Sequence, residues 1–264
     1  MRHHAIDPDL LMKAYRMGIF PMADGRDDPR TFWVEPHHRA ILPLDGFRLS
    51  HSLARTLRRE RFRVTCNAAF ADVLTACAEP HGDRQETWMN SPIRDAAMTL
   101  HRRGFAHSIE CWSGDQLVGG LYGIGFDGVF CGESMFSRER DASKVALAWL
   151  VAALRRGGAM LLDCQFMTEH LASLGAVEIT QAEYLCLLDE AQAGSGGEAA
   201  GDEVAVGGFG TAGLVAASGD AVDAGVAAWA GAALPAGFVV LLADAEGSSS
   251  SPGKVIAQSL TQTS

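Results

Sequence analysis

The chain lacks the short motifs that settle a chemistry at sight. It has no GxxxxGK[ST] phosphate loop, no GxGxxG turn leading from a strand into a helix, no HExxH pair and no GxSxG elbow. Those absences set aside P-loop nucleotide hydrolysis, Rossmann-type dinucleotide binding, zincin chemistry and the α/β-hydrolase nucleophile. Gly132-Glu133-Ser134-Met135 comes nearest to the elbow but has the wrong frame. Six cysteines (66, 77, 111, 131, 164, 186) are scattered without CxxC or Cys–His ligand spacing. Neither a metal site nor a disulfide framework is expected from them, and they read as buried thiols of a reducing cytoplasm. No unbroken run of about 18 strongly apolar residues is bounded by charges, so no membrane span is expected. The first eight residues, Met1 to Pro8, lack the apolar core of a secretory signal, and a cytoplasmic location follows as the expectation.

Basic residues are missing from one end. Residues 181–264 hold ten acids and a single base, Lys254, so the net charge of −10 falls almost wholly there. Residues 1–180 carry 21 bases against 22 acids and all nine histidines. A local basic patch is compatible with that near-neutral part.

What is present centres on Cys131 to Gln165. Cys131-Gly132-Glu133-Ser134-Met135-Phe136-Ser137 precedes an amphipathic stretch, Asp141 to Arg156, that reads as one helix. Asp141 is its expected cap, Arg155 and Arg156 suit the negative end of its dipole, and Gly157 stops it. Met160-Leu161-Leu162 reads as a buried strand that carries Asp163 and Gln165 to its carboxyl end, where ligand sites of open α/β sheets gather. The crossover thus brings Glu133, Asp163 and Gln165 toward one edge. A lone carboxylate at a strand end is as often satisfied by backbone amides or an arginine as it is functional.

Upstream, Asp7-Pro8 opens a helix with Leu10, Leu11, Ala14 and Tyr15 at helical spacing, ended by Gly18. A polar loop, Pro36 to Arg39, leads into the apolar run Ala40-Ile41-Leu42. Residues 46–63 hold six arginines (Arg48, Arg55, Arg58, Arg59, Arg61, Arg63) against one acid, Glu60, with Ser50 capping a helix. From charge alone a solvated helix face is the preferred reading, with a phosphate-contacting patch as the alternative. Asn67 is expected to cap the following helix, a polar loop spans His81 to Glu86, and residues 107–131 alternate as an antiparallel meander with an Asp127-Gly128 hairpin turn. Thr180-Gln181-Ala182-Glu183 is a capping box for a last helix to about Ala193. Residues 194–252 are rich in Ala, Gly, Ser, Val and Asp and read as a loosely packed extension, with Val239-Val240-Leu241-Leu242 as its one candidate strand.

At this point the sequence resembles the leucyl/phenylalanyl-tRNA–protein transferases. The likeness rests on Tyr15 to Pro21, His107 to Glu110, Leu117 to Gly123, Phe130 to Ser137, Ala142-Ser143-Lys144, Asp163-Cys164-Gln165 and Ser173 to Ala176, in unbroken order over about residues 7–190. The Cys-Gly-Glu-Ser-Met-Phe-Ser run is the most specific of them. The resemblance implies an α/β (α+β) architecture: a small, shortened N-terminal domain (1–45), a GNAT-like acyltransferase domain with a mixed sheet (46–193), and an Ala/Gly-rich acidic extension (194–264). It implies transfer of Leu, Phe or Met from aminoacyl-tRNA to proteins with N-terminal Arg or Lys, marking them for N-end-rule degradation. A monomer that uses no metal or acetyl-CoA is expected from it.

Residue by residue, the resemblance assigns Asp163 to hold or deprotonate the attacking amine, Gln165 to orient the reacting groups, and Glu133 to bind an amino group. Leu121, Leu147, Leu150 and Leu162 become walls of the amino-acid pocket, although without the resemblance plain core packing is strongly the preferred reading of these leucines. Trp88 and Met22 fall near the tRNA 3′ end, where a ring can stack on the terminal adenine and a methionine can only pack. With tRNA as donor, the six arginines become a phosphate-facing surface, from which the acidic tail should stay away. Two other readings remain: an acyl-CoA-dependent N-acyltransferase, though no Arg/Gln-x-x-Gly-x-Gly/Ala loop is found, and a non-catalytic tRNA- or degron-binding protein.

Overall fold

The protein is described by a computed structural model covering residues 5–80, 87–194 and 233–261. The expected loop from 81 to 86 and the middle of the extension, 195–232, lie outside the described residues. In chain order the elements are α1 (Pro8–Arg16), β1 (Phe20–Met22), β2 (Phe32–Val34), β3 (His38–Ile41), α2 (His51–Arg58), β4 (Arg63–Cys66), α3 (Phe70–Cys77) and α4 (Ser91–Arg102). There follow β5 (Ala106–Ser113), β6 (Gln116–Phe126), β7 (Val129–Ser137), α5 (Ala142–Arg156), β8 (Leu161–Gln165), α6 (Glu169–Ser173), β9 (Val177–Thr180), α7 (Gln181–Gly194), α8 (Ala233–Gly247) and α9 (Pro252–Ser259).

Seven strands form one mixed sheet in the order β4-β5-β6-β7-β8-β3-β9. Every neighbouring pair is antiparallel except β7 and β8, which α5 connects in parallel. Strand β3 stands inside this sheet, between β8 and β9, so the chain's early residues help to build the central layer. The segment read as a polar loop therefore ends in a strand, and Arg39 is buried within it. The β1–β2 hairpin forms a separate small sheet.

Local signals in the sequence set several boundaries. Asp7 accepts from Asp9 N at the start of α1, Ser50 caps α2 through Leu53 N, and Thr180 and Glu183 close their reciprocal box. Two expected caps fail. Asp141 adopts φ +69° and makes no side-chain cap bond to α5, and Asn67 sits at φ +60° three residues before α3 begins. Leu10, expected inward, is exposed, while Leu11, Met12, Ala14 and Tyr15 are buried.

Helix α5 has almost no polar face, because it is covered on two sides: β5 and β6 lie under it and α8 over it. Its alanines let α8 approach closely. A Cβ at Gly237 would collide with the Ala153 carbonyl, so that position admits only glycine. Leu234, Phe238 and Leu241 bury against α5, and Trp149 meets Phe238 with ring centroids 5.2 Å apart. The loose extension, with its candidate strand, is thus corrected for residues 233–261, which form two packed helices. The corrected signal is a run too short of alternation to be a half-buried strand but well spaced to bury Leu234, Phe238 and Leu241 on one helix side.

Candidate active site

The site is made where β7 and β8 part. Their ladder runs only from Val129↔Leu161 to Cys131↔Asp163. Beyond it, each strand carries one extra residue relative to its other neighbour. In β7, Tyr122↔Ser134 is followed by Gly123↔Gly132, which leaves Glu133 as the bulged residue. In β8, Ala40↔Gln165 is followed by Ile41↔Asp163, which leaves Cys164 unpaired. Bulges bend a strand and re-aim its side chains. Gly123 permits the first of them, since a Cβ there would collide with the Cys131 carbonyl.

The opening is a cavity of about 290 Å³ whose walls include Leu121, Leu147, Leu150 and Leu162, with Glu133 and Gln165 as polar groups and Met22 and Trp88 also on its lining. Eight residues expected from the sequence, distributed from β1 to β8, therefore meet in one place. Trp88 is held beside the β1–β2 hairpin by the bond from Ala23 N to Trp88 O, 3.0 Å.

Of the three expected catalytic residues, Asp163 alone does not reach the cavity wall. It is wholly buried one step behind it, where Arg39 Nε and Nη2 donate to its two oxygens at 2.9 and 2.5 Å. Tyr184 OH adds a third bond at 3.1 Å, and Gln165 N donates to Asp163 Oδ1 at 2.8 Å. Arg39 also donates to Gly18 O and lies over the rings of Phe20 and Tyr184. Burial disfavours its charge, yet the Asp163 carboxylate raises its affinity for the proton further still.

That buried pair fixes Gln165. The residue stands at φ +62°, a conformation rare for a side chain of this size, and the Asp163 bond to its amide secures the turn. Gln165 Nε2 then donates to Glu133 Oε1 at 2.9 Å, and Tyr15 OH donates to the same oxygen at 2.8 Å. Among the described residues, no protein donor meets Oε2. Burial pushes the Glu133 carboxyl up to about 7, against the opposing pull of the Tyr15 and Gln165 hydrogen bonds. A carboxyl poised there exchanges protons readily at neutral pH.

Nothing in the sequence marks Arg39, Tyr184 or Tyr15 outright as a site residue. Arg39 leaves one signal: a lone cation directly before the apolar run Ala40-Ile41-Leu42, as a strand position demands. Tyr15 is legible as an inward residue of α1, but nothing local shows that its hydroxyl reaches a strand 118 positions later.

The six arginines are exposed, and none lines the cavity. Arg61 pairs with Glu139 at 2.9 Å, and Arg63 lies 5.1 Å from the Trp112 ring centroid. Helix α9 packs on α2, with Gly253 N donating to Glu60 at 3.1 Å. The expectation that the tail stays away from this face is corrected for its described part. That part carries only Asp244 and Glu246 as acids, and Arg156 pairs with Asp244 at 2.9 Å, so the expected repulsion is small there.

An apolar cavity with a near-neutral carboxyl and an amide at its polar end, in a mixed sheet crossed by one buried helix, has the layout of a site for transferring an acyl group to an amine. The family model described as "Leucyl/phenylalanyl-tRNA protein transferase" matches residues 41–189, and that of the same enzyme's N-terminal domain matches residues 4–37. The chain is similar to the leucyl/phenylalanyl-tRNA–protein transferase of Novosphingobium aromaticivorans, 63% identical over 99% of this chain and 98% of that one. It is 60% identical to that of Rhizorhabdus wittichii over 71% of this chain and 75% of the relative. The chain belongs to the leucyl/phenylalanyl-tRNA–protein transferase family, and it is an aminoacyltransferase. The solved structure of L-PGS from Bacillus licheniformis aligns over 62% of this chain and 55% of its own at TM-score 0.34 and 13% identity, too distant to carry an argument about fold. No described helix is long and apolar enough to cross a membrane.

Proposed function

We propose that the cavity binds the aminoacyl end of Leu-, Phe- or Met-tRNA and presents its ester to the N-terminal amine of an Arg- or Lys-initiated protein, a step toward degradation of that protein by the N-end rule. The observation that carries this reading is the cavity itself: four leucines line part of it, and Glu133 and Gln165 stand among its polar residues with Ser134, Thr168 and His170. An apolar side chain without a branch at Cβ suits a pocket walled by leucines, and about 290 Å³ accommodates Leu, Met or Phe. Trp88 offers a face to the terminal adenine, at a typical 1–3 kcal/mol for such stacking, and Met22 packs beside it. The exposed arginines of α2 and β4 serve the tRNA backbone farther out. The order of meander, helix and strand, with the splay between β7 and β8, supports a GNAT-like reading of the fold. The reaction is that of a cytoplasmic enzyme acting as a monomer.

An aminoacyl ester is already activated, so no metal or cofactor is required; positioning and one proton transfer suffice. The attacking α-amine nitrogen bonds to the ester carbonyl carbon and yields its proton to Glu133 Oε2. The bond from that carbon to the ribose oxygen then breaks, and the ribose oxygen leaves with the proton that Glu133 returns. Gln165 orients Glu133, and Asp163 acts behind it as a positioning residue, held by Arg39 and Tyr184.

Transfer of radiolabelled Leu from Leu-tRNA to a peptide starting with Arg tests the reading, with the N-acetylated peptide as control. Label on the free-amine peptide alone is the expected result. Label on neither peptide, from folded protein that binds the tRNA, would replace transfer by a binding role.

A further inference from the structure

We infer that Tyr15, on helix α1, is a positioning residue of the transfer reaction: its hydroxyl ties up one oxygen of Glu133 so that the other is turned to the substrates. The inference rests on the transferase reading above and adds a part of the chain to its machinery.

Both protein donors to Glu133, Tyr15 OH and Gln165 Nε2, meet Oε1, at 2.8 and 2.9 Å. A carboxylate has room for about four donors over its two oxygens. Spreading the two donors over both oxygens would leave neither oxygen wholly to a ligand. Concentrating them on one fixes the side-chain torsions and leaves Oε2 to the cavity that Glu133 lines.

Glu133 needs such a tether because it is a bulged residue, without a partner across β6 to define its direction. The tether itself is rigid. Tyr15 is 4% exposed, and it belongs to a helix whose following turn is anchored when Arg39 donates to Gly18 O at 2.9 Å. Arg39 thereby fixes both donors of Glu133, one through Gly18 and α1, the other through Asp163 and Gln165. Burial and the neighbouring Glu133 charge keep the Tyr15 phenol protonated, a donor at any working pH. The other groups around Glu133 are Asp163 and Arg39 on β8 and β3, Tyr122 on β6 and Cys131 on β7. Among the described residues, Tyr15 and Gln165 are the ones whose side chains hydrogen bond to it.

Tyr15→Phe keeps the ring and removes the bond. Because that bond favours the charged carboxylate, its loss raises the proton affinity of Glu133. The expected result is an approximately tenfold fall in kcat at pH 7 with KM for Leu-tRNA and for the Arg-peptide within twofold. The acid limb of the rate profile should move to higher pH, recovering most of the rate near pH 8.5. Tyr15→Phe added to Glu133→Gln should cost nothing more. A rate lowered equally at every pH, or a profile that superimposes on the parent's, would overturn the inference. Titration of the Glu133 carboxyl by carbon-13 NMR gives the second measurement, and it does not depend on turnover. An unmoved carboxyl titration in Tyr15→Phe overturns the inference even if transfer is confirmed, whereas a shifted one in a protein without transfer activity would retain the tether and reject the transferase reading.

Discussion

Arg39 and Asp163 meet end to end through two hydrogen bonds in a space that solvent does not enter: their side chains are 2% and 0% exposed. Neither can be removed alone without stranding the other's charge. Breaking such a buried pair typically costs about 3–5 kcal/mol, far more than an exposed pair contributes. Asp163→Ala should therefore unfold at markedly lower denaturant, by roughly that amount, and not simply lose turnover. Asp163→Asn keeps an oxygen for Gln165 N and should remain folded at 25 °C, with kcat lowered while KM is nearly kept. Parental stability of Asp163→Ala in a urea titration would show that the pair is not integral to the fold.

This pair marks the limit of what the sequence discloses. The crossover from β7 through α5 to β8 and the meander before it are legible from local periodicity, and Glu133 and Gln165 from their place beside that crossover; Leu121, Leu147, Leu150, Leu162, Met22 and Trp88 are singled out only by the family resemblance. Arg39 and Tyr184 are not legible, because their roles depend on β3 inserting between β8 and β9 and on α7 lying near. Nothing within a few residues of Arg39 encodes that insertion. The caps divide the same way. Ser50 and Thr180 work as local rules require, whereas Asp141 is drawn into a left-handed turn beside Arg140 and Lys144, at 3.7 Å from each. The docked helices α8 and α9 are hidden for a different reason: small residues give weak periodicity, and close packing on α5 uses just those residues.

Glu133 should leave its mark on stability as well as on rate. Its carboxyl titrates near 7 in the folded protein against an ordinary value of 4.5, so the folded state binds the proton more tightly. Folding stability therefore falls as pH rises between those two values, and is unaffected by this group below them. Glu133→Gln removes the cost. The variant should match the parent near pH 4 and exceed it by about 1–3 kcal/mol at pH 8, while transfer falls by two orders of magnitude or more. Urea midpoints at the two pH values decide it; a difference that does not grow with pH would mean that Glu133 is not held in its protonated form by burial.

Phe238 anchors α8 against Trp149, and 7% of it remains exposed. Phe238→Ala should cost about 3 kcal/mol, the usual range for a buried aromatic ring reduced to a methyl group. Because α8 packs on α5, the helix that carries the cavity wall residues Leu147 and Leu150, truncation before residue 233 should lower the melting temperature before it affects the chemistry. Thermal scans of both variants beside a transfer assay at 20 °C make the comparison. A truncated chain with the parent's melting temperature would show that α8 is an attachment and not part of the core.

Arg58 and Arg59 end helix α2 on the exposed face, and neither enters an ion pair among the described residues. If they face tRNA phosphates, removing either cation should weaken binding of all tRNAs alike and reduce the salt slope of log K by about one. Reversal of both charges, Arg58→Glu with Arg59→Glu, is therefore expected to lower affinity by at least tenfold at low salt, with a smaller difference as salt rises. Helix α9 packs along α2 near Leu57 and Glu60, so a deletion of α9 serves as the companion variant. Unchanged tRNA binding by the double reversal in a filter assay would assign these arginines to solvent and place the tRNA backbone on another face of the protein.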